Sequence, residues 1–506
     1  MTTAHITVDP AYRIGEVDRR LFGSFVEHMG RCVYTGIYEP DHPTADQHGF
    51  RRDVLELVRE LGPTIVRYPG GNFVSGYRWE DGVGPPQQRP RRLDLAWRTL
   101  ESNEVGVDEF MTWCRSSGVE PMMAVNLGTR GAQEATDLLE YCNHSEGTAL
   151  SDLRRSNGAK EPHDILVWCL GNELDGPWQV GHKTADEYGR LAAETARAMR
   201  MVDPRIELVA CGSSHSAMPT FASWEATVLE HCYDLVDYVS LHSYYEPHDG
   251  DVGSFLASGV DLDRAIDAIV ATADHVGARL GSRKRLRLSV DEWNVWYQQN
   301  FDGQDELEYV ERRALIEDNY DVTDAVVVGS LLITLLRHAD RVGIACQAQL
   351  VNVIAPILTR AGDTAWRQTA FHPFAQAARF ARGDVLRIEP RVATYDAARY
   401  GDVPLVDATA TLDPDTGDVT ILAVNRSTSE PILLDADVRA IGAHRVAATT
   451  LGGTELDRKN TAAEPEAVSP RALTAVDTTD GRLRVALPPV SWNVIRLIPL
   501  TKEHSR

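Results

Sequence analysis

Between residues 21 and 351, short β-branched runs alternate with longer amphipathic stretches, and this alternation is what most constrains the fold. Eight runs stand out: 21–25, 64–68, 121–126, 165–170, 207–211, 238–242, 286–290 and 344–351. Between most of them lie stretches such as 51–61, 108–116, 184–201, 262–280 and 322–337, which repeat apolar residues at three- and four-residue steps. That spacing gives a helix one apolar face to lay on a sheet. Strand and helix repeated eight times predict an α/β fold, a (β/α)8 TIM barrel. A typical barrel takes about 250 residues. The longer span predicted here, 18–382, therefore carries insertions, and the Gly/Pro/Arg-rich segment 82–92 is one.

After about residue 382 the texture changes to short alternating strands, 419–424, 432–436 and 494–498 among them, with turn clusters such as Asp413-Pro414-Asp415-Thr416-Gly417. This predicts a β-sandwich, jelly-roll-like, over 383–506. A strand-like segment, 5–8, precedes the barrel and ends before Pro10, so residues 1–17 are expected to join that distant sandwich. With no internal repeat and no long flexible linker, the two units are expected to pack firmly.

Composition narrows the function. With 43% apolar and 25% charged residues the 506-residue chain is globular rather than disordered. Its 51 basic and 74 acidic residues leave a net charge of −23, which repels phosphate backbones and anionic lipid. Neither nucleic acid nor a membrane is an expected partner. The N-terminal Met1-Thr2-Thr3-Ala4-His5 has neither the basic nor the apolar region of a secretion signal, which points to the cytoplasm. Seven scattered cysteines with no C-x-x-C pair suggest buried free thiols, and neither a zinc site nor a disulfide framework.

Barrels of this kind present the residues at the C-terminal ends of their strands to one shared site. After the fourth run comes Gly171-Asn172-Glu173-Leu174-Asp175-Gly176-Pro177-Trp178, and after the seventh Asp291-Glu292-Trp293-Asn294-Val295-Trp296. Each places a glutamate at a strand mouth beside an aromatic residue. Glycosidic cleavage needs two such carboxyl groups, one to protonate the leaving oxygen and one to attack or stabilise the anomeric carbon. Other strand ends supply Glu27, Asn72, Asn126, His242, Tyr244 and, in the eighth run, Gln349, all able to bond sugar hydroxyls. Trp97, Trp178 and Trp296 offer apolar faces for a sugar ring. Asn172 is placed to bond a ring hydroxyl beside the anomeric centre, and Gly70-Gly71 lets the backbone approach a ligand closely.

These residues resemble glycoside hydrolase family 51, chiefly α-L-arabinofuranosidases, over essentially the whole chain. Gly171-Asn172-Glu173 and Asp291-Glu292-Trp293 alone point to the wider clan of barrel glycosidases. The segments 70–77 (Gly70-Gly71-Asn72-Phe73-Val74-Ser75-Gly76-Tyr77), 171–183 and 352–357 are more specific. The resemblance implies that Glu173 is the acid/base and Glu292 the nucleophile of a retaining double displacement. It places Glu27, Asn72, Asn172, Tyr244 and Gln349 around the furanose, and Trp97 and Trp296 near the leaving-group sugar. His242 assists the site or is structural. It further implies an exo-acting enzyme for arabinan- and arabinoxylan-derived oligosaccharides, a cytoplasmic homo-hexamer with no cofactor and no metal. Two alternatives remain open on the same scaffold: an endo-β-1,4-glucanase or β-xylosidase, and a non-catalytic carbohydrate-binding protein.

Overall fold

In the computed structural model, which describes residues 2–303, 307–442 and 444–500, eight parallel strands close into a barrel. In order around the barrel they are Gly23–Phe25, Ile65–Tyr68, Glu120–Ala124, Val167–Leu170, Glu207–Ala210, Tyr238–Tyr245, Arg287–Val295 and Val342–Gln347. The eighth returns to the first through Cys346 opposite Gly23. Side chains such as Phe25, Ile65, Met122, Val167, Val209 and Ile344 fill the interior, so the barrel is a packed core rather than a pore. All seven cysteines are buried and unpaired.

The helices follow from local sequence. Arg52–Leu61 buries Val54, Leu55, Leu57, Val58 and Leu61 on one face and stops at Gly62, whose φ of 78° a side chain would disfavour. Ala185–Val202 starts in a reciprocal cap: the Thr184 hydroxyl accepts from the Glu187 N–H, and the Glu187 carboxylate accepts from the Thr184 N–H at 2.9 Å. Val322–Arg337 is buried from Val322 to Leu336 because it lies between the barrel and the second domain.

That second domain is two sheets face to face. One has the order Thr3–Thr7, Ile432–Asp437, Arg482–Leu487, Val476–Thr479. The other runs Arg13–Glu16, Asp384–Leu386, Val406–Leu412, Val419–Asn425, Ser491–Pro499, His444–Gly452, Arg471–Ala472. Ala4, Ile6, Leu434 and Val485 from one sheet meet Ala408, Ile421 and Ile495 from the other in a common core. The N-terminal strand pairs in parallel with Ile432–Asp437, Ala4 opposite Leu434. The chain start also gives a second strand, Arg13–Glu16, to the opposite sheet, which the sequence pattern did not reveal. Residues 1, 443 and 501–506 of the expected sandwich segments lie outside the described residues.

Three predicted strand ends are displaced by three residues or more. The sixth and seventh strands continue to Tyr245 and Val295, and the eighth stops at Gln347. A hydrophobic run ends where side chains leave apolar surroundings, whereas a strand ends where backbone pairing ends. His242, Tyr244 and Glu292 therefore sit within strands, and Gln349 just beyond one. The insertion 82–92 is followed by a two-stranded ribbon, Arg92–Asp94 with Thr99–Glu101, whose tip carries Trp97.

Candidate active site

At the barrel mouth the ladder between the sixth and seventh strands shifts register between Ser240 and His242, and that between the seventh and eighth shifts between Val290 and Trp293. Such bulges re-aim side chains. Here they bring His242, Tyr244, Asp291 and Glu292 together, while Trp293 is turned into the core. Glu173 reaches the same place by a turn: Gly171 has φ 97° and Glu173 itself φ 43°, a left-handed backbone uncommon for a residue with a side chain.

Glu292 is gripped at both oxygens. Arg67 Nη1 donates to Oε1 at 2.7 Å and the Tyr244 hydroxyl to Oε2 at 2.7 Å. The same guanidinium donates from Nη2 to Asn172 Oδ1 at 2.7 Å, and Asn172 Nδ2 lies 3.4 Å from Asn72 Oδ1. Around Glu173, His242 Nδ1 lies 2.8 Å from Oε1 and Trp178 Nε1 donates to Oε2 at 2.9 Å. His242 Nε2 lies 2.9 Å from Asp291 Oδ1. Glu27 Oε1 accepts from the Phe73 N–H at 3.0 Å and from Trp97 Nε1 at 2.8 Å, and its Oε2 from Gln349 Nε2 at 3.0 Å. A Cβ at Gly71 would lie 3.1 Å from a Glu27 oxygen and 3.2 Å from a Glu292 oxygen, so a side chain there would crowd both carboxyl groups.

Burial and neighbouring charge tune the site. Burial raises the Glu173 pKa, the Glu292 charge adds to the rise, and the His242 and Trp178 hydrogen bonds oppose it. Glu27 is pushed up to about 8, chiefly by burial, with Glu292 contributing. Burial would lower the His242 pKa, but the Glu292 charge and the hydrogen bonds to Asp291 and Glu173 hold it well above its usual value. Both His242 nitrogens face a carboxyl oxygen, an arrangement that favours the protonated ring. Asp291 sits below its usual value because Arg67 and His242 outweigh its burial. One oxygen each of Glu173 and Glu292 and one His242 nitrogen lie within 4.8 Å of one another. The Arg67 guanidinium already pairs with Glu292 beside this group, and its positive charge opposes a cation there.

The structure thus gathers Glu27, Asn72, Trp97, Asn172, Glu173, Tyr244, Glu292, Trp296 and Gln349 in or against one cavity of about 590 Å³, with His242 behind Glu173. Trp296 stands edge-on to Tyr244 with ring centres 5.3 Å apart. Asn126 lies elsewhere: it bonds the Tyr77 carbonyl and the Gly128 and Thr129 N–H groups, holding its own loop. The sequence reading missed Arg67 and Asp291. A charged residue inside the run Ile65-Val66-Arg67-Tyr68 was a usable signal, because a buried guanidinium needs carboxylate partners. Asp291 had no such signal, since ordinary strand alternation would turn it away from Glu292.

Comparison with known proteins agrees with this chemistry. An α-L-arabinofuranosidase 1 domain matches residues 57–257, and an α-L-arabinofuranosidase C-terminal domain matches residues 291–491. An intracellular exo-α-(1→5)-L-arabinofuranosidase of Streptomyces lividans is 60% identical over 98% of this chain and 75% of its own length. A Bacillus subtilis (strain 168) enzyme with the same description is 52% identical over 98% of this chain and 99% of its own. A solved family 51 α-L-arabinofuranosidase from Bifidobacterium longum superimposes with a TM-score of 0.95 at 46% identity, covering 98% of this chain and all of that one. Identity of this extent leaves one conclusion: the chain belongs to the α-L-arabinofuranosidases of glycoside hydrolase family 51.

Proposed function

We propose that the chain is a retaining, exo-acting enzyme that removes terminal non-reducing α-L-arabinofuranosyl residues from arabinan- and arabinoxylan-derived oligosaccharides. The observation that supports the retaining reading is the close approach of the two carboxyl groups, an oxygen of Glu173 lying within 4.8 Å of one of Glu292. Retaining glycosidases hold the pair about 5–5.5 Å apart, whereas inverting ones need about 6.5–9.5 Å to admit a water. The exo action and α-(1→5) linkage are supported by the names of the relatives above, which also place those enzymes inside the cell.

In the first step a Glu292 oxygen bonds to the anomeric carbon as the glycosidic bond breaks, and Glu173 gives its proton to the leaving oxygen. Arg67 and Tyr244 fix the attacking carboxylate. Once its charge is consumed in the ester, one cause of the raised Glu173 pKa disappears and Glu173 becomes a base. It then takes a proton from the water that attacks the anomeric carbon, and Glu292 is released with overall retention. Glu27, Asn72, Asn172, Tyr244 and Gln349 hold the furanose, Trp97 and Trp296 flank the leaving sugar, and His242 positions Glu173.

The test sets nitrophenyl α-L-arabinofuranoside beside nitrophenyl β-D-xylopyranoside and a β-glucan, with wild type and Glu292→Ala. Release from the arabinofuranoside, lost in the variant and giving first the product of retained configuration by NMR, is the expected result. Preference for the xyloside or glucan overturns the sugar, and first-formed inverted product overturns the mechanism. We further propose a cytoplasmic homo-hexamer, which light scattering and cell fractionation check.

A further inference from the structure

The cavity does not end at the reactive carboxyl groups. It continues to Arg399 and Tyr400, at the tip of a hairpin, Thr394–Ala397 with Gly401–Pro404, that follows the barrel in sequence and leads into the sandwich strand Val406–Leu412. The hairpin is clamped against the barrel. Tyr395 donates its hydroxyl to the Gly253 carbonyl at 2.8 Å, and the Arg399 N–H donates to Ser254 Oγ at 3.1 Å. Ala397 and Val403 pack on Ala257 in a small apolar cluster of their own. Buried Arg426 joins both sides, donating to the Leu256 carbonyl at 3.1 Å and the Pro404 carbonyl at 3.2 Å. These contacts hold the backbone of the tip from which Arg399 and Tyr400 project. Among the described residues, neither the Arg399 guanidinium nor the Tyr400 hydroxyl makes a hydrogen bond, so both are available to a ligand.

The cavity also holds an aromatic platform. Trp178 is 40% exposed, stacks on His215 with ring centres 6.2 Å apart at 13°, and bonds Glu173 directly. This ring face, tied to Glu173, shares the cavity with an unpartnered guanidinium and hydroxyl, a combination of apolar wall and placed polar groups suited to a sugar. The same cavity wall carries Glu246, Asp251 and Asp261, carboxylates that oppose an anionic ligand and suit an uncharged polyhydroxyl one. The volume, about 590 Å³, is far more than one five-carbon ring fills.

We propose that Arg399 and Tyr400 form a distal leaving-group subsite that binds the second sugar beyond the scissile bond, so that the hairpin leading into the sandwich sets preference for chain length. This rests on the arabinofuranosidase reading above. The test measures kcat/KM on α-(1→5)-arabinobiose, whose leaving group is one sugar, and on arabinotriose, whose leaving group is two. Wild type, Arg399→Ala, Tyr400→Phe and Tyr400→Ala are compared, with melting temperatures to confirm folding. Wild type is expected to prefer the triose. Loss of one or two hydrogen bonds to the second sugar should lower the triose-to-biose ratio by about threefold to tenfold in the single variants. Equal rates on biose and triose in wild type overturn the subsite whatever the variants do, and so does a ratio unchanged in Arg399→Ala and Tyr400→Ala. Failure of wild type on nitrophenyl α-L-arabinofuranoside instead overturns the sugar assignment itself, so the two failures are distinct.

Discussion

Glu173 and Glu292 share a cavity but not an environment, and their variants should separate the two roles. In the proposed mechanism Glu292, bonded by Arg67 and Tyr244, is the attacking group, and Glu292→Ala should abolish turnover on every substrate. Glu173 is the proposed proton donor, and general acid catalysis contributes about 10²–10⁴-fold. Glu173→Ala should lose that much on arabino-oligosaccharides yet form the glycosyl-enzyme from a dinitrophenyl arabinofuranoside, seen as a burst followed by slow release. Equal losses on both substrates would sink the assignment. Glu27 makes a separate prediction. With its pKa near 8, the folded protein keeps a proton that the unfolded chain releases above about 4.5. Folding stability therefore falls as pH rises through that window. The melting temperature of wild type should drop between pH 5 and 8 more steeply than that of Glu27→Gln, and identical slopes would refute the shift.

At the scale of elements, the ribbon that carries Trp97 illustrates how an insertion becomes part of a site. Its turn is organised by Asp94, whose buried carboxylate accepts from the Ala96 N–H at 3.0 Å, the Trp97 N–H at 3.0 Å and the Thr99 hydroxyl at 3.2 Å. Its far strand is pinned by Glu101, which meets His28 Nδ1 at 3.0 Å and accepts from the Tyr34 hydroxyl at 2.5 Å. Trp97 then delivers its N–H to Glu27. Asp94→Asn puts an amide N–H₂ against a backbone donor, and a lost buried hydrogen bond costs about 1–2 kcal/mol. The expected outcome is a fall in kcat/KM of about fivefold to thirtyfold, carried mainly by KM, with a shift in tryptophan fluorescence. A variant with native KM would show that the turn does not depend on Asp94.

Over the whole molecule, barrel and sandwich are joined by a buried ion cluster as well as by apolar packing. Asp407 of the sandwich accepts from Arg337 of the barrel helix at 2.5 Å, from Arg426 at 2.6 Å and from Ser330 at 3.1 Å. Beside it a Cβ at Gly329 would run into the Trp492 ring, so helix and sheet approach as closely as a glycine allows. The two arginines outweigh burial and hold Asp407 below its usual pKa. Its contribution to stability is thus present above about pH 4 and lost as pH falls through the lower folded value. Asp407→Ala takes from buried Arg426 its carboxylate partner and leaves Arg337 only Asp263, at 3.4 Å, and breaking a buried pair costs about 3–5 kcal/mol. Calorimetry should show a lowered, split transition at pH 7, and a single unshifted one would mean that apolar packing alone joins the domains.

The barrel, the sandwich and the two catalytic candidates were legible in the sequence because each rests on a local pattern. Period-two and period-3.6 hydrophobicity set the elements, and polar residues terminating apolar runs marked Glu173 and Glu292. Where pairing and hydrophobicity part company the pattern misleads, as at Tyr245 and Val295, and a strand as polar as Arg13–Glu16 leaves no trace. Only the tertiary structure placed Arg67 and Asp291 in the site and gave His242 its two carboxylate partners. Their meeting depends on bulges and on contacts between residues more than a hundred positions apart, such as Arg67 with Glu292 and Asn172. Charge, burial and proton affinity are properties of that assembled neighbourhood, and no stretch of the chain contains them alone.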